Sequence, residues 1–208
     1  MFKIGVLVSG SGTNLQAIID SINSGFIKNA KVETVISNKE DAFALQRAKD
    51  SNIETKVIKV KDFENKQLYE DALIGYLKEK ELDLIVLAGF MVILSEKFVN
   101  SFKDKIINIH PSLIPAFSGE GYYGLKVHQG VLKRGCKITG ATVHFVTEEA
   151  DDGPIIIQKE VFVKDDDTDE ILQQRVLKEA EWIILPQAIN LILNKQIKIV
   201  DNIVRRIY

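Results

Sequence analysis

An asparagine and a histidine stand two residues apart in the stretch INIHPSLIP, which ends at Pro115. The alternating apolar residues predict a strand, and Pro111 and Pro115 predict that a loop begins where the strand stops. Side chains two residues apart leave a strand on the same face, so Asn108 and His110 are expected side by side. Both can donate hydrogen bonds to an oxygen that gains negative charge, and the imidazole can also carry a proton. The pair therefore indicates a reaction with a tetrahedral oxyanion, such as acyl transfer.

A histidine in that role works best beside a carboxylate, which orients the ring and stabilises its cationic form. The best source is the acidic turn EEADDGP, residues 148–154, whose backbone is restricted by its Gly-Pro pair. The residues alone leave Asp151 and Asp152 as equal candidates for the partner of His110.

His128 and His144 are the other two histidines, and a three-histidine metal site with His110 is the alternative use for them. None of the spacings matches a known metal-binding signature, so no metal is expected. His144 alternates with apolar residues in a predicted strand and is interpreted as a structural or supporting residue. His128 lies on a predicted helix and has no assigned role.

A glycine-rich loop, SGSGTN, follows the first predicted strand and passes directly into a helix. Backbone amides, the side chains of Thr13 and Asn14 and a helix N-terminus converge there, which predicts a phosphate-binding site. Leu15 stands where a dinucleotide motif has its third glycine, and the G-K-[ST] of a P-loop is missing. The alternative is a tight turn in which Thr13 or Asn14 caps the helix.

Short apolar runs alternate with stretches of helical period, which predicts a doubly wound α/β protein with a mostly parallel sheet. The predicted strands are Phe2 to Val8, Val32 to Ser37, Glu54 to Val60, Leu84 to Ala88, Ile106 to His110, Ala141 to Thr147 and Ile155 to Val163. The connection between the last two is too short for a helical crossover, so they should pair antiparallel. We therefore expect a seven-stranded sheet with one antiparallel strand near the C-terminus, and a Rossmann-like N-terminal half.

The C-terminal part predicts a long amphipathic helix that begins with Asp167 and Glu170 at capping-box spacing. Pro186 is expected to kink or interrupt this helix, because proline lacks the N–H of the helical ladder. No linker or change of composition marks a boundary, so residues 1–208 are expected to form a single domain.

Composition restricts the class of partner. Lys plus Arg total 27 against 29 for Asp plus Glu, and the net charge of -2 favours neither nucleic acid nor a membrane surface. Small-molecule ligands are therefore expected. The single Cys136, the absence of a leader-like N-terminus and the absence of a long apolar run favour a cytoplasmic protein.

Six longer stretches together resemble the phosphoribosylglycinamide formyltransferases of purine biosynthesis, and the resemblance covers nearly the whole chain. They are LVSGSGTNLQAIID, ISNKEDAFAL, DLIVLAGFMVILS, NIHPSLIP, GATVHFVTEEADDGPIIIQ and RVLKEAEWIILP. The resemblance implies the formyltransferase fold and transfer of a formyl group from 10-formyltetrahydrofolate to the amine of 5-phosphoribosylglycinamide. It implies formylglycinamide ribonucleotide and tetrahydrofolate as products and no metal. The sequence does not decide between a monomer and a homodimer.

The same resemblance assigns residues, and it chooses Asp151 over Asp152 as the third catalytic member beside Asn108 and His110. The residues that it implies for the nucleotide substrate are Gly12, Thr13 and Asn14 at the phosphate, Glu181 at the ribose, and Lys178. The residues that it implies for the folate are Lys66, Met91, Val92, Ile93, Leu94, Asn108, Thr147, Glu148, Glu149, Ala150 and Asp151. The competing interpretations are a formyltetrahydrofolate deformylase, in which water replaces the amine, and a folate- or nucleotide-binding module without turnover.

Overall fold

The computed structural model describes residues 1–207 and has the alternating strands and helices of an α/β protein. Its strands are β1 Phe2–Val8, β2 Ala30–Ser37, β3 Glu54–Val57, β4 Leu84–Leu87, β5 Ile106–His110, β6 Ile138–Phe145, β7 Ile155–Phe162, β8 Ile197–Val200 and β9 Ile203–Arg206. Its α-helices are α1 Thr13–Asn23, α2 Phe43–Asp50, α3 Lys66–Glu79, α4 Glu96–Ser101, α5 Leu125–Arg134, α6 Asp169–Val176 and α7 Trp182–Leu193.

Seven strands form one sheet in the order β3-β2-β1-β4-β5-β6-β7, and this confirms the predicted fold class. Strand β1 pairs parallel with β2 and β4, and β2 pairs parallel with β3. Strand β7 pairs antiparallel with β6, as the short acidic turn predicted. The strand ends differ from the prediction by a few residues. Strand β3 stops at Val57 because the chain then forms a 3-10 turn at Val60–Asp62.

The central strands are apolar without alternation because helices cover both faces of a parallel sheet. All four residues of β4 are buried, and so are the last five of β1. Helix α1 packs with Leu15, Ile18 and Ile19 buried, so its N-terminus is fixed close behind the end of β1. This packing positions the glycine-rich loop.

The chain divides within β5 into two compact units, one formed by Met1–Ile107 and one that begins at Asn108. The glycine-rich loop, Lys66 and the segment Met91–Leu94 belong to the first unit. Asn108, His110 and the acidic turn belong to the second. Among residues 1–207, no helix is both long and apolar enough to cross a membrane.

The C-terminal helix differs from its prediction. The N-cap of α6 is Thr168, whose hydroxyl accepts the Ile171 N–H at 3.3 Å. Asp167 lies outside the helix and forms a double hydrogen bond with Arg175. A π turn, Leu177–Glu181, then separates α6 from α7. The capping-box prediction was therefore wrong by one residue.

Pro186 lies inside α7 and does not interrupt it, contrary to one of the two predicted outcomes. A proline near the start of a helix removes only one hydrogen bond of the ladder, which packing of the apolar α7 compensates. The hairpin of β8 and β9 was not predicted. Its two turn residues, Asp201 and Asn202, have φ values of 50° and 59°, as tight hairpin turns require.

Candidate functional site

Asn108 and His110 leave β5 together, and the turn after β6 brings Asp151 to both of them. Nδ1 of His110 lies 3.2 Å from Oδ2 of Asp151. Nδ2 of Asn108 donates to Oδ1 of the same carboxylate at 3.3 Å. The structure therefore brings the three residues together into one polar cluster in the second unit.

The turn distinguishes the two aspartates that the residue pattern alone left equal. Asp151 is largely buried, with 14% of its side chain exposed, whereas Asp152 is exposed. Asp151 has a φ of 57°, a left-handed conformation that Asp and Asn adopt more readily than most residues. Gly153 allows the turn to lie against β6, because a Cβ there would stand 1.8 Å from the Phe145 carbonyl oxygen.

Asp151 is held in its charged form by its neighbours. Burial by itself would raise the pKa of this carboxyl group. His144, whose Nε2 lies 3.5 Å from Oδ1, the charge of His110 and the N–H of Gly119, which donates at 3.0 Å, together bring the pKa below its ordinary value. At neutral pH a negatively charged carboxylate therefore faces the imidazole of His110.

Both ring nitrogens of His110 face acceptors. Nε2 lies 2.8 Å from the carbonyl oxygen of Phe117, and Nδ1 faces the Asp151 carboxylate. A neutral imidazole has one N–H, so only the cation can donate to both acceptors. Burial nevertheless lowers the pKa of His110, against the charge of Asp151 and the Phe117 carbonyl, which raise it. These opposing influences suit a group that takes up and releases a proton.

His144 orients Asn108, a role that the sequence left open between structural and supporting. Its Nδ1 donates to the Phe145 carbonyl oxygen at 2.8 Å, which leaves Nε2 as an acceptor in the neutral ring. Nδ2 of Asn108 lies 3.2 Å from this Nε2. One amide hydrogen therefore points at His144 and the other at Asp151, so the amide orientation is fixed.

The glycine-rich loop begins α1 without a side-chain cap. Gly12 is the N-cap residue, with a φ of 71°, and neither Thr13 nor Asn14 caps the helix as the alternative interpretation required. The carbonyl groups of the loop turn toward α2: Gly10 O accepts the Ala44 N–H at 3.1 Å, and Ser11 O accepts Arg47 Nε at 2.9 Å. The backbone N–H groups of the loop, its amide edge, therefore lie at the N-terminus of α1. Such an arrangement of N–H groups is suited to binding an anion.

Gly12→Ala is expected to lower the free energy of unfolding by about 2 kcal/mol, because alanine tolerates the left-handed conformation poorly. In addition, a Cβ at Gly12 would stand 2.7 Å from the Cα of Ala44. Gly10→Ala is the matched control, since a Cβ there has no atom within 4 Å. Urea denaturation of the two variants checks the prediction, and equal losses of stability in both would contradict it.

The other predicted folate contacts are divided between the two units. In the first unit, Met91–Leu94 connects β4 to α4, with Met91 48% and Ile93 65% exposed, and Lys66 is the first residue of α3. In the second unit, Thr147 immediately precedes the acidic turn, and residues 148–150 precede Asp151 within it.

The other two predicted residues of the nucleotide site both lie in the π turn. Lys178 is exposed and Glu181 is buried. Single π turns inside helices occur frequently at functional sites, because the extra residue turns side chains to new directions.

Two backbone groups at the cluster were missed by sequence reasoning. The Phe117 carbonyl contacts His110, and the Gly119 N–H contacts Asp151. Main-chain groups leave no signature in residue types, and the only signal was a glycine-containing loop after β5. Among residues 1–207, no group of three or more His, Cys, Asp or Glu side chains is arranged to hold a metal ion.

The sequence and structure of the chain are similar to those of known proteins. The sequence pattern described as Formyl transferase matches residues 2–189. This chain belongs to the formyl transferase family. It is 44% identical to the phosphoribosylglycinamide formyltransferase of Haemophilus influenzae, across 98% of this chain and 92% of that protein. It is 40% identical to the protein of that name from Escherichia coli, across 96% and 91% of the two chains.

Solved structures agree with these relatives. The glycinamide ribonucleotide transformylase 1 of Symbiobacterium toebii superimposes with a TM-score of 0.93 at 40% identity, covering all of this chain and 95% of that one. The formyl transferase described here is therefore similar to those proteins over nearly its full length and theirs.

His128 gives this formyl transferase an acid-sensitive position in α5. It is fully buried, and within residues 1–207 neither ring nitrogen has a hydrogen-bond partner. Burial lowers its pKa from the ordinary 6.5 to about 4, while the charge of Asp169 partly opposes this. The folded protein therefore disfavours the proton that the unfolded chain binds below pH 6.5.

Stability should consequently fall as the pH drops from about 6.5 to about 4, by roughly 3 kcal/mol for this group at about 1.4 kcal/mol per pKa unit. His128→Leu removes the titration and should reduce the loss of stability over this interval. Urea denaturation of both proteins at several pH values measures the difference. An unchanged pH dependence in the variant would contradict the assignment to His128.

Proposed function

We propose that this formyl transferase moves the formyl group of 10-formyltetrahydrofolate to the amine of 5-phosphoribosylglycinamide in de novo purine biosynthesis. The products are formylglycinamide ribonucleotide and tetrahydrofolate. The observation that carries the proposal is the cluster of Asn108, His110 and Asp151, whose groups suit a tetrahedral oxyanion and a proton transfer. The names of the similar proteins from Haemophilus influenzae and Escherichia coli support the choice of acceptor.

The reaction begins when the amine of the nucleotide attacks the formyl carbon, so that a carbon–nitrogen bond forms and the formyl oxygen becomes negative. Asn108 gives up its 3.3 Å hydrogen bond to Asp151 and donates to the formyl oxygen instead, while His144 keeps the amide oriented. His110 donates through Nε2 once that nitrogen has left the Phe117 carbonyl. The two donors lower the energy of the intermediate.

The intermediate then collapses. The bond between the formyl carbon and the folate nitrogen breaks, and the proton lost by the amine reaches that nitrogen. Asp151 favours the cationic form of His110 and helps to position a water that relays the proton. All atoms and charges balance without a metal, so transfer is expected to continue after dialysis against a chelator.

The remaining residues bind the two substrates. The amide edge of Gly12, Thr13 and Asn14 takes the phosphate, since N–H groups and a helix N-terminus attract an anion. Glu181 accepts from the ribose hydroxyl groups, with Lys178 close by in the same π turn. For the folate, Lys66 supplies a positive charge. Two segments line the ring and chain of the folate: Met91, Val92, Ile93 and Leu94 in one, and Thr147, Glu148, Glu149, Ala150 and Asp151 in the other.

The experiment is an absorbance assay for deformylated folate, run with and without 5-phosphoribosylglycinamide. Tetrahydrofolate and the formylated nucleotide should appear together, and only when the acceptor is present. Release of formate without any acceptor would support the deformylase instead. Binding of both ligands without a folate product would support a module without turnover.

Three further properties are proposed with the function. The family pattern spans both compact units, which supports a single formyltransferase domain over residues 1–208. The partners are small molecules, neither nucleic acid nor membrane, and the protein acts as a monomer or homodimer. The cytoplasm is the proposed location, in keeping with the free Cys136.

A further inference from the structure

Glu70 is a buried carboxylate that the proposed chemistry does not use. It lies in α3, four residues after Lys66, and only 2% of its side chain is exposed. Burial removes water from a carboxylate, so such a group is stable only where hydrogen-bond donors and a cation replace the water. The identity of those donors therefore indicates what the position does.

Both donors to Glu70 come from Ser95. The N–H of Ser95 donates to Oε1 at 2.9 Å, and its hydroxyl donates to Oε2. Ser95 is also the N-cap of α4, where its hydroxyl accepts the Phe98 N–H at 3.4 Å. It directly follows Leu94, the last residue of the candidate folate-binding segment. Glu70 therefore fixes the point at which that segment ends.

The other end of the segment is fixed separately. The Met91 N–H donates to Oγ of Ser9 at 2.8 Å, and the same hydroxyl donates to Asn38 at 2.6 Å. Residues 91–94 themselves belong to neither a helix nor a strand. Because local hydrogen bonds of secondary structure do not fix this backbone, its two anchored ends determine how it presents its side chains.

The same carboxylate faces the candidate folate-binding cation. Nζ of Lys66 lies 3.7 Å from Oε1 of Glu70, one helical turn away, while half of the lysine side chain is exposed. Glu70 thus contacts the cation on α3 and, through Ser95, the end of the segment before α4.

We propose that Glu70 is a positioning residue for the formylfolate substrate. Its charge holds Lys66 and the end of Met91–Leu94 in the arrangement that binds the folate, without touching the reacting atoms. The inference rests on the proposed function for the identity of the ligand.

Glu70→Gln tests this, because glutamine keeps the size and one acceptor oxygen but loses the charge. The Kd for tetrahydrofolate and the KM for 10-formyltetrahydrofolate should rise about five- to tenfold, because a charged acceptor binds its donors more strongly than a neutral one. By contrast, kcat at saturation should stay within about twofold, and the KM for 5-phosphoribosylglycinamide should not change.

Asp71→Asn is the matched control. Asp71 on α3 pairs with Lys97 on α4, so it joins the same two helices, but with 41% and 55% of the side chains exposed. This variant should leave both KM values unchanged. Equal increases in both variants, or a Glu70→Gln protein with a lower Tm and unchanged folate binding, would make Glu70 a purely structural contact.

Ser95→Ala is the second variant, and it decides the question if Glu70→Gln does not fold. It keeps the backbone N–H and removes the hydroxyl donor, so folate binding should weaken in the same direction. Unchanged folate binding in Ser95→Ala would overturn the proposal.

Titration with tetrahydrofolate separates this inference from the proposed function. If the wild-type protein binds tetrahydrofolate but transfers no formyl group, the proposed function fails and the variants still decide the role of Glu70. If the wild-type protein does not bind tetrahydrofolate, the positioning role of Glu70 is overturned as well.

Discussion

Asp151→Asn is expected to lower kcat by about two or more orders of magnitude, the range that general acid–base groups usually contribute. The substitution keeps the shape of the side chain and removes the negative charge that faces Nδ1 of His110. Without that charge the imidazolium loses its partner, and the relay water loses an acceptor. The absorbance assay at saturating concentrations of both substrates measures kcat directly.

The fold should survive this substitution. Asp151 has a φ of 57°, and asparagine adopts the left-handed conformation at least as readily as aspartate. Its amide oxygen can still accept the N–H of Gly119, which now donates to Oδ2 at 3.0 Å. An unchanged circular dichroism spectrum and Tm would show that the loss of activity is chemical.

The same variant makes a prediction about the pKa of His110. A neighbouring carboxylate stabilises the protonated ring and raises its pKa, so loss of the charge should lower the pKa below its value in the wild-type protein. NMR titration of the imidazole measures both values. A pKa that rose in Asp151→Asn would contradict the proposed interaction.

Asp152→Asn is the control, because it removes the same charge from the same turn at an exposed position. It should retain most of the activity and leave the pKa of His110 nearly unchanged. If Asp152→Asn were inactive and Asp151→Asn turned over normally, the carboxylate would be wrongly assigned, while the roles of Asn108 and His110 could still hold.

Much of this arrangement could be predicted from the sequence because it depends on periodicity. The pairing of Asn108 with His110 follows from the alternation of a strand, and the end of that strand follows from Pro111. The antiparallel return of β7 follows from the shortness of the acidic turn. Each of these features depends only on residues close together in the sequence, and each is found in the fold.

The remaining details depend on tertiary contacts. Residue patterns left Asp151 and Asp152 equal, and only the conformation of the turn directs one of them toward His110. The N-cap of α6 is Thr168, one residue later than predicted, and Asp167 instead binds Arg175 and the Lys164 N–H outside the helix. The structure thus separates two neighbouring aspartates that residue type could not distinguish: Asp151 is buried against His110, and Asp152 is exposed.

Asn108→Ala is expected to lower kcat by about a hundredfold or more, the usual effect of removing one donor from an oxyanion site. The amide of Asn108 is the neutral donor of the cluster, and His144 fixes its orientation. A donor that acts mainly on the charged intermediate should lower kcat far more than it raises the KM for the folate, which Asn108 is also expected to contact. The KM for 5-phosphoribosylglycinamide should stay within about threefold.

The pKa of His110 distinguishes loss of the oxyanion donor from displacement of Asp151. Asn108 also donates to Oδ1 of Asp151, so its loss could in principle displace the carboxylate. However, Asp151 keeps its contacts with His110 and the Gly119 N–H, both made through Oδ2. The pKa of His110 should therefore stay close to its wild-type value in Asn108→Ala, whereas it should fall in Asp151→Asn. If the pKa fell equally in both variants, Asn108 would act by holding Asp151 in place, and its proposed contact with the oxyanion would be wrong.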